Sequence, residues 1–194
     1  METRIIKIDE NKIDKKLIEE AVEVIRNGGL VAFPTETVYG LGANGLDEEA
    51  VKKIFLAKGR PQDNPLILHV HSIEQVEDLV EEIPDLAKLC MDKFWPGPLT
   101  IILKKSKIVP DIISAGLDTV AIRMPENKIA LELIKQSNLP IAAPSANRSG
   151  KPSPTSAKHV IEDLMGTIDM IIDGGDTGIG LESTVIDLST DIPM

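Results

Sequence analysis

Cysteine is nearly absent from this chain of 194 residues: Cys90 is its sole thiol, so no internal disulfide can form. A chain of this length buries enough surface to fold without one. Aromatic residues are scarce as well, with three Phe, one Trp and one Tyr, too few for a protein that binds nucleic acid by stacking bases. Long apolar runs are missing, since Leu30 to Phe33 and Leu99 to Leu103 fall far short of the roughly 20 residues a membrane helix needs. The stretch from Met1 to Asp14 lacks the layout of a signal peptide, so a cytoplasmic location with no membrane partner is expected. Basic residues are the minority, 21 Lys and Arg against 31 Asp and Glu, and the formal net charge of −10 argues against a wholly basic surface. Neither a Walker sequence nor a Gly-x-Ser-x-Gly elbow occurs, which excludes a P-loop ATPase and the usual serine hydrolase.

What is present alternates between helical and strand periodicity. Arg4 to Ile8 reads as a strand, and Asp14 caps a helix with Leu17, Ala21, Val24 and Ile25 on one face, ending at Gly28-Gly29. Leu30 to Phe33 is a buried strand that runs into the polar loop Pro34-Thr35-Glu36-Thr37. Asp47 caps a second helix that gives out near Lys58-Gly59-Arg60-Pro61, and Leu66 to Val70 is a strand. Helices follow from Ile73 to Val80 and Asp85 to Phe94, then strands at Leu99 to Leu103 and Thr119 to Arg123. Pro125 opens a helix, Ile141 to Ala143 is a short strand, and the loop Pro144 to Thr155 leads to a helix from Ser156 to Leu164. Met170 to Ile172 and Thr184 to Leu188 close the pattern as strands. The expectation is one α/β domain with a mixed sheet flanked by helices.

The loops after strands are where chemistry is sought. Lys58 and Arg60 can present two cations to a phosphate or carboxylate, or can simply form a basic helix end. Ser145 and Asn147, two apart beyond a short strand, offer a hydroxyl and an amide, or an ordinary turn. Arg123 at a strand end is a carboxylate clamp or a surface ion-pair partner. Gly40, Gly42 and Gly45 fit the dinucleotide pattern, but six residues of loop separate them from the preceding strand, so the match reads as a decoy. His69 and His71 share a face of a strand, yet His159 is remote and no cysteine is near, so no fixed metal ligand is expected. Cys90, among Leu86 and Leu89, reads as a buried thiol. The acids from Glu74 to Asp85 read as a solvated helix face.

Together these loops resemble one family, the threonylcarbamoyl-AMP synthases, also called YrdC-like or TsaC. The matching stretches are Gly29-Leu30-Val31-Ala32-Phe33-Pro34-Thr35-Glu36-Thr37-Val38-Tyr39-Gly40-Leu41-Gly42, Lys58-Gly59-Arg60-Pro61 with Asn64-Pro65-Leu66, Trp95-Pro96-Gly97-Pro98-Leu99-Thr100, Pro144-Ser145-Ala146-Asn147-Arg148-Ser149-Gly150, and Ser183-Thr184-Val185. The resemblance implies a twisted mixed sheet with a concave, electropositive cavity. It also implies a reaction in which L-threonine, bicarbonate or CO2, and ATP with Mg²⁺ give threonylcarbamoyl-adenylate and pyrophosphate. By matching position, Lys58, Arg60, Ser145 and Asn147 would be catalytic and would bind ATP with Asn64, Thr119 and Ser153. Thr37, His69, Arg123, the Ala143 backbone and Ser183 would hold threonine. The adenylate would pass to partner proteins that modify tRNA.

Family members commonly continue past Ser-Thr-Val-x-Asp with an Ile-Leu-Arg-Pro-Gly element, whereas this sequence reads Asp191-Ile192-Pro193-Met194. The expectation is a single YrdC-like domain over residues 1–194, without the C-terminal basic element or a second domain. Two other readings stand beside the synthase. One is a carbamoyl-adenylate-handling domain of a YrdC-type carbamoyltransferase, and the other is a noncatalytic module that binds double-stranded RNA or tRNA through shape and backbone.

Overall fold

The computed structural model describes residues 2–190 and 192–194. Its elements run β1 (Arg4–Lys7), α1 (Lys15–Arg26), β2 (Val31–Pro34), β3 (Tyr39–Asn44), α2 (Glu48–Lys58), β4 (Ile67–His69), α3 (Ile73–Leu79), α4 (Asp85–Phe94), β5 (Leu99–Lys104), α5 (Asp111–Ser114), β6 (Thr119–Arg123), α6 (Lys128–Ser137), β7 (Ile141–Ala142), α7 (Ala157–Leu164), β8 (Met170–Asp173) and β9 (Thr184–Asp187). Among the described residues the nine strands form one mixed sheet, in the order β1-β8-β2-β3-β7-β4-β6-β5-β9. β8 lies parallel to both β1 and β2, β3 is antiparallel to β2 and β7, and β4 is antiparallel to β7 but parallel to β6. β5 is antiparallel to β6 and parallel to the edge strand β9.

Local chemistry accounts for the boundaries. The Asp14 carboxylate accepts the N–H groups of Lys16 and Leu17 and starts α1, and Asp47 does the same for Glu49 and Ala50 at α2. The buried face of α1 is Ile18, Ala21, Val22 and Ile25, so Ala21 and Ile25 of the expected stripe are buried while Leu17 and Val24 are half-buried at its edge. Helix α6 begins at Lys128 behind an Asn127 cap, not at Pro125. Strand β4 ends at His69, so His71 lies outside it and the two histidines do not share a strand. The acids between Glu74 and Asp85 are exposed as expected, whereas Cys90 is half-buried. No helix among the described residues is long and apolar enough to cross a membrane.

β3 departs from the sequence pattern, which places no strand at Gly40 and Gly42. Both glycines sit in the ladder opposite Phe33 and Val31, and a Cβ on Gly42 would lie 2.7 Å from the Phe33 ring. The glycines serve close packing within a strand, not a phosphate turn.

Side chains alternate across the strands, so each face has its own cover. One face carries a core of Leu41, Leu68, Ile101 and Ile122 packed under α2, α3, α4, α5 and α7. The other face is covered by α1 and α6, whose Ile18, Ile25, Leu133 and Ile134 pack on Val31, Phe33, Ile141 and Ile172. That second cover reaches only the β1-β8-β2-β3-β7 half. Over β4, β6, β5 and β9 the same face presents Ile67, His69, Thr119, Ala121, Arg123, Thr100 and Val185, of which Ile67, Ala121 and Thr119 are partly exposed and Val185 is exposed. The uncovered half of this face is the floor of the functional site.

Candidate active site

Register lines up the polar floor. His69 pairs with Arg123 across β4 and β6, and Arg123 pairs with Thr100 across β6 and β5, so all three project from one face. A cavity of about 210 Å³ opens there, lined by Thr35, Thr37, His69 and Arg123 at one end and by Arg60, Ser145 and Glu182 at the other, with Ala143 and Ser183 also in its wall. This half-open space is below the roughly 300 Å³ of a drug-sized site. It suits an amino-acid-sized ligand, with anything larger extending along the open face.

The Arg123 end is enclosed. The guanidinium donates from Nε to the Gly97 carbonyl (3.3 Å), from Nη1 to the Thr37 hydroxyl (3.1 Å) and from Nη2 to Glu36. Thr37 is held in turn, its Oγ1 lying 3.0 Å from that of Thr35, which donates to the Val38 carbonyl at 2.6 Å. Beside them the Phe33 ring meets the His69 imidazole edge-on, with centroids 6.4 Å apart. Burial, and then the neighbouring Arg123, push His69 down to about 3, so the ring is neutral, and its buried Nδ1 has no partner. Ser183 shares a hydrogen bond of 2.8 Å with Thr100, and Ala143 donates its N–H to the Ile67 carbonyl.

The other end is built by loops. Gly59 ends α2 in the left-handed conformation (φ 61°), which side chains resist, and so sets Lys58 and Arg60 on either side of a sharp turn. Lys58 points away from the open space: its ammonium donates to the Ser145 and Asn147 carbonyls, the latter at 2.6 Å, and its own carbonyl accepts the Ser149 N–H. Burial, and then Arg60, lower it to about 8. Asn147 is buried and donates to the Arg148 and Lys151 carbonyls at 2.9 and 2.7 Å, so Lys58 and Asn147 together shape the loop that presents Ser145 to the cavity. Arg60 lines the cavity, donating only to the Pro65 carbonyl at 3.3 Å, with a buried, unpartnered Nε. Ser153 donates to Glu182 at 2.8 Å.

Of the twelve residues singled out from the sequence, Thr37, Arg60, His69, Arg123, Ala143, Ser145 and Ser183 line this one cavity. Lys58, Asn147 and Ser153 stand directly behind or beside that wall. Thr119 is on the same open face but four positions from Arg123, about 13 Å along the strand, and does not line the cavity. Asn64 is exposed and outside the cavity lining. Two acids went without a role: Glu36, inside the quoted Pro34-Thr35-Glu36-Thr37 stretch, and Glu182, one residue before Ser183. Arg123 is thus paired with a resident carboxylate, and Glu182 shares the cavity wall with Arg60.

Residues 174–183 cross the mouth between β8 and β9. Ile179 and Gly180 donate to the Glu36 and Thr37 carbonyls, both at 3.0 Å, and Thr177 donates to the Thr155 carbonyl at 2.9 Å. The Tyr39 hydroxyl clips the start of this strap, donating to the Gly175 carbonyl (2.6 Å) and accepting the Gly174 N–H (3.1 Å). Among the described residues no group of three or more His, Cys, Asp or Glu could hold a metal ion.

Residues 23–194 match the family model Sua5/YciO/YrdC, described as telomere recombination. The chain belongs to the Sua5/YciO/YrdC family. It is 64% identical to the threonylcarbamoyl-AMP synthase of Pyrococcus abyssi over 187 residues, which cover 96% of this chain and 55% of that protein. It is 57% identical to the threonylcarbamoyl-AMP synthase of Bacillus subtilis, covering 96% of this chain and 54% of that one. The crystal structure of P. abyssi Sua5 complexed with L-threonine superposes with a TM-score of 0.96 at 63% identity, over 98% of this chain and 56% of that chain. The Sua5/YciO/YrdC fold, a mixed sheet flanked by helices, is therefore that of this chain, which spans about half the length of these relatives.

Proposed function

We propose that this chain forms L-threonylcarbamoyladenylate from L-threonine, bicarbonate or CO2, and ATP, releasing pyrophosphate, as a nucleotidyltransferase that supplies tRNA modification. The observation that carries the reading is the two-ended cavity, with Arg123 enclosed at one end and Arg60 open at the other. The names of the two relatives and the threonine complex of P. abyssi Sua5 support it.

In this reading the threonine carboxylate meets Arg123 and its hydroxyl and amine meet Thr37, His69, Ser183 and the Ala143 backbone. The neutral His69 can accept or donate at Nδ1 without adding charge. The amine adds to CO2, losing a proton and gaining an N-carboxylate. One oxygen of that carboxylate attacks the α-phosphate of ATP, the bond from the α-phosphorus to the bridging oxygen breaks, and pyrophosphate leaves. No protein nucleophile is needed. The chain's task is to align two anions and to answer the charge that grows on the phosphate, with Arg60 and the Ser145 hydroxyl in the wall and Lys58 holding their loop. Mg²⁺ would arrive on the nucleotide, held by phosphate oxygens and water, with Glu182 the acid in the wall at that end. Its chemistry is to neutralise phosphate charge.

The test is pyrophosphate release and adenylate formation by the purified chain with ATP, Mg²⁺ and bicarbonate, with and without L-threonine. Threonine-dependent release is expected. Adenylate formed from carbamoyl phosphate without threonine, or salt-sensitive RNA binding undisplaced by ATP and without turnover, would overturn the reading.

A further inference from the structure

Strand β5 begins Leu99-Thr100-Ile101-Ile102-Leu103, apolar at every position but one. Thr100 is fully buried, in register with Arg123 on β6 to one side and with Val185 on β9 to the other. It does not line the cavity. Its hydroxyl lies 2.8 Å from that of Ser183, which does.

The fold gives no reason for a hydroxyl at this position. Valine has the same shape and suits a strand as well, and two buried hydroxyls replaced by apolar groups of the same shape leave stability nearly unchanged. Nor is the pair needed to hold the Ser183 backbone. Thr184, next in the chain, donates to the Pro98 carbonyl at 3.0 Å, and Gly180, three residues before Ser183, donates to the Thr37 carbonyl at 3.0 Å. What these bonds leave free is the direction of the Ser183 hydroxyl. Thr100, β-branched and stiff at χ1, is suited to fix it.

Each hydroxyl has one hydrogen to give. Among the described residues Thr100 Oγ1 has Ser183 as its sole partner, so its hydrogen is satisfied only by donating there. The neighbouring Arg123 guanidinium favours the same sense, because a cation draws the hydroxyl oxygen towards itself and turns the hydrogen away. Ser183 then accepts from behind and keeps its own hydrogen for the cavity. A hydroxyl that already accepts a hydrogen bond is also a stronger donor.

We propose that Thr100 is a positioning residue for the threonine site: its hydroxyl donates to Ser183 and so aims the Ser183 O–H, as a donor, at an oxygen of the bound amino acid. This rests on the threonine assignment proposed above.

Calorimetric titration of L-threonine, and separately of ATP, into the unaltered chain, Thr100→Val, Thr100→Ser, Ser183→Ala and the Thr100→Val/Ser183→Ala double variant tests it. Thr100→Val is expected to weaken L-threonine by about 3–10-fold while the Kd for ATP and the melting temperature stay unchanged. Thr100→Ser, which keeps the hydroxyl, restores the affinity. In the Ser183→Ala background, where no hydroxyl remains to be aimed, Thr100→Val brings no further loss. The proposal is overturned by an unchanged Kd for L-threonine in Thr100→Val, by equal weakening of L-threonine and ATP, by the same loss in both backgrounds, or by no rescue in Thr100→Ser. Failure of Thr100→Val to fold overturns it too, since the hydroxyl would then serve the fold. Each of these defeats the role of Thr100 alone, whereas an unaltered chain that binds no L-threonine defeats the proposed function as well.

Discussion

The two halves of the sheet are built from the same alternating strands, yet only one is covered on both faces. In the β1-β8-β2-β3-β7 half, Val31, Phe33, Ile141 and Ile172 meet α1 and α6, and Leu41 and Ile171 meet the opposite core. In the β4-β6-β5-β9 half, Ile122 and Ile101 are buried on one face, while Thr119, Ala121, Arg123 and Thr100 have no helix over them on the other. The closed half holds the domain together, while the floor of the open half, with the loops that leave β2 and β7, lines the cavity.

The sharpest way to break this comparison is to alter one half and read the property of the other. Ile18→Ala, on α1 over the closed half, should lose about 2–5 kcal/mol of stability in denaturant titration and leave both substrate KM values unchanged. Ala121→Phe, on the open floor, should leave stability within about 1 kcal/mol and raise the KM for ATP by about tenfold, or 1.4 kcal/mol. Stability lost at Ala121 or substrate affinity lost at Ile18 would dissolve the division.

His69 is the titratable group where the two halves meet. The folded ring stays neutral down to about 3, against an ordinary value of 6.5, so below 6.5 the unfolded chain binds more protons than the folded one. Stability contributed by the neutral ring is complete above that value and is lost as the pH falls, by about 2 kcal/mol at pH 5. His69→Gln should flatten this limb of the melting-temperature profile relative to the unaltered chain; parallel profiles would show that the ring is not enclosed.

A smaller effect is expected where the strap is pinned. Tyr39→Phe removes the hydroxyl that bridges Gly174 and Gly175, costing about 1 kcal/mol and speeding amide exchange at Thr177, Ile179 and Gly180. Exchange unchanged at those amides would mean that the strap is held without Tyr39. The smallest change is assigned to Asn64→Ala, an exposed residue outside the cavity, for which the KM for ATP should move less than about twofold. A large rise would extend the nucleotide site beyond the cavity.

Most elements were legible because caps and alternation are local signals: Asp14, Asp47, Ser156 and the apolar runs of β2, β5 and β6 announce themselves. β3 was not legible, since the reason for glycine at positions 40 and 42 is the Phe33 ring on a neighbouring strand. The site shows the same divide. The types of Lys58, Arg60, Ser145 and Arg123 spoke for anion binding, and the family resemblance joined them. Their directions did not follow, because Lys58 turns to the carbonyls of Ser145 and Asn147 and Arg123 turns to Glu36, contacts across 87 to 89 residues of chain. Glu36 sat inside a quoted motif without a role, for its meaning lies in the guanidinium it meets.

The proposed function puts an amino acid at the Arg123 end of one cavity and a nucleotide at its Arg60 end. The direct test is steady-state kinetics of Arg123→Lys and Arg60→Lys, with L-threonine and ATP each varied at saturating levels of the other. Arg123→Lys is expected to raise the KM for L-threonine and leave that for ATP alone, and Arg60→Lys to do the reverse. If both variants raise both values equally, or exchange their effects, the two-ended site is wrong.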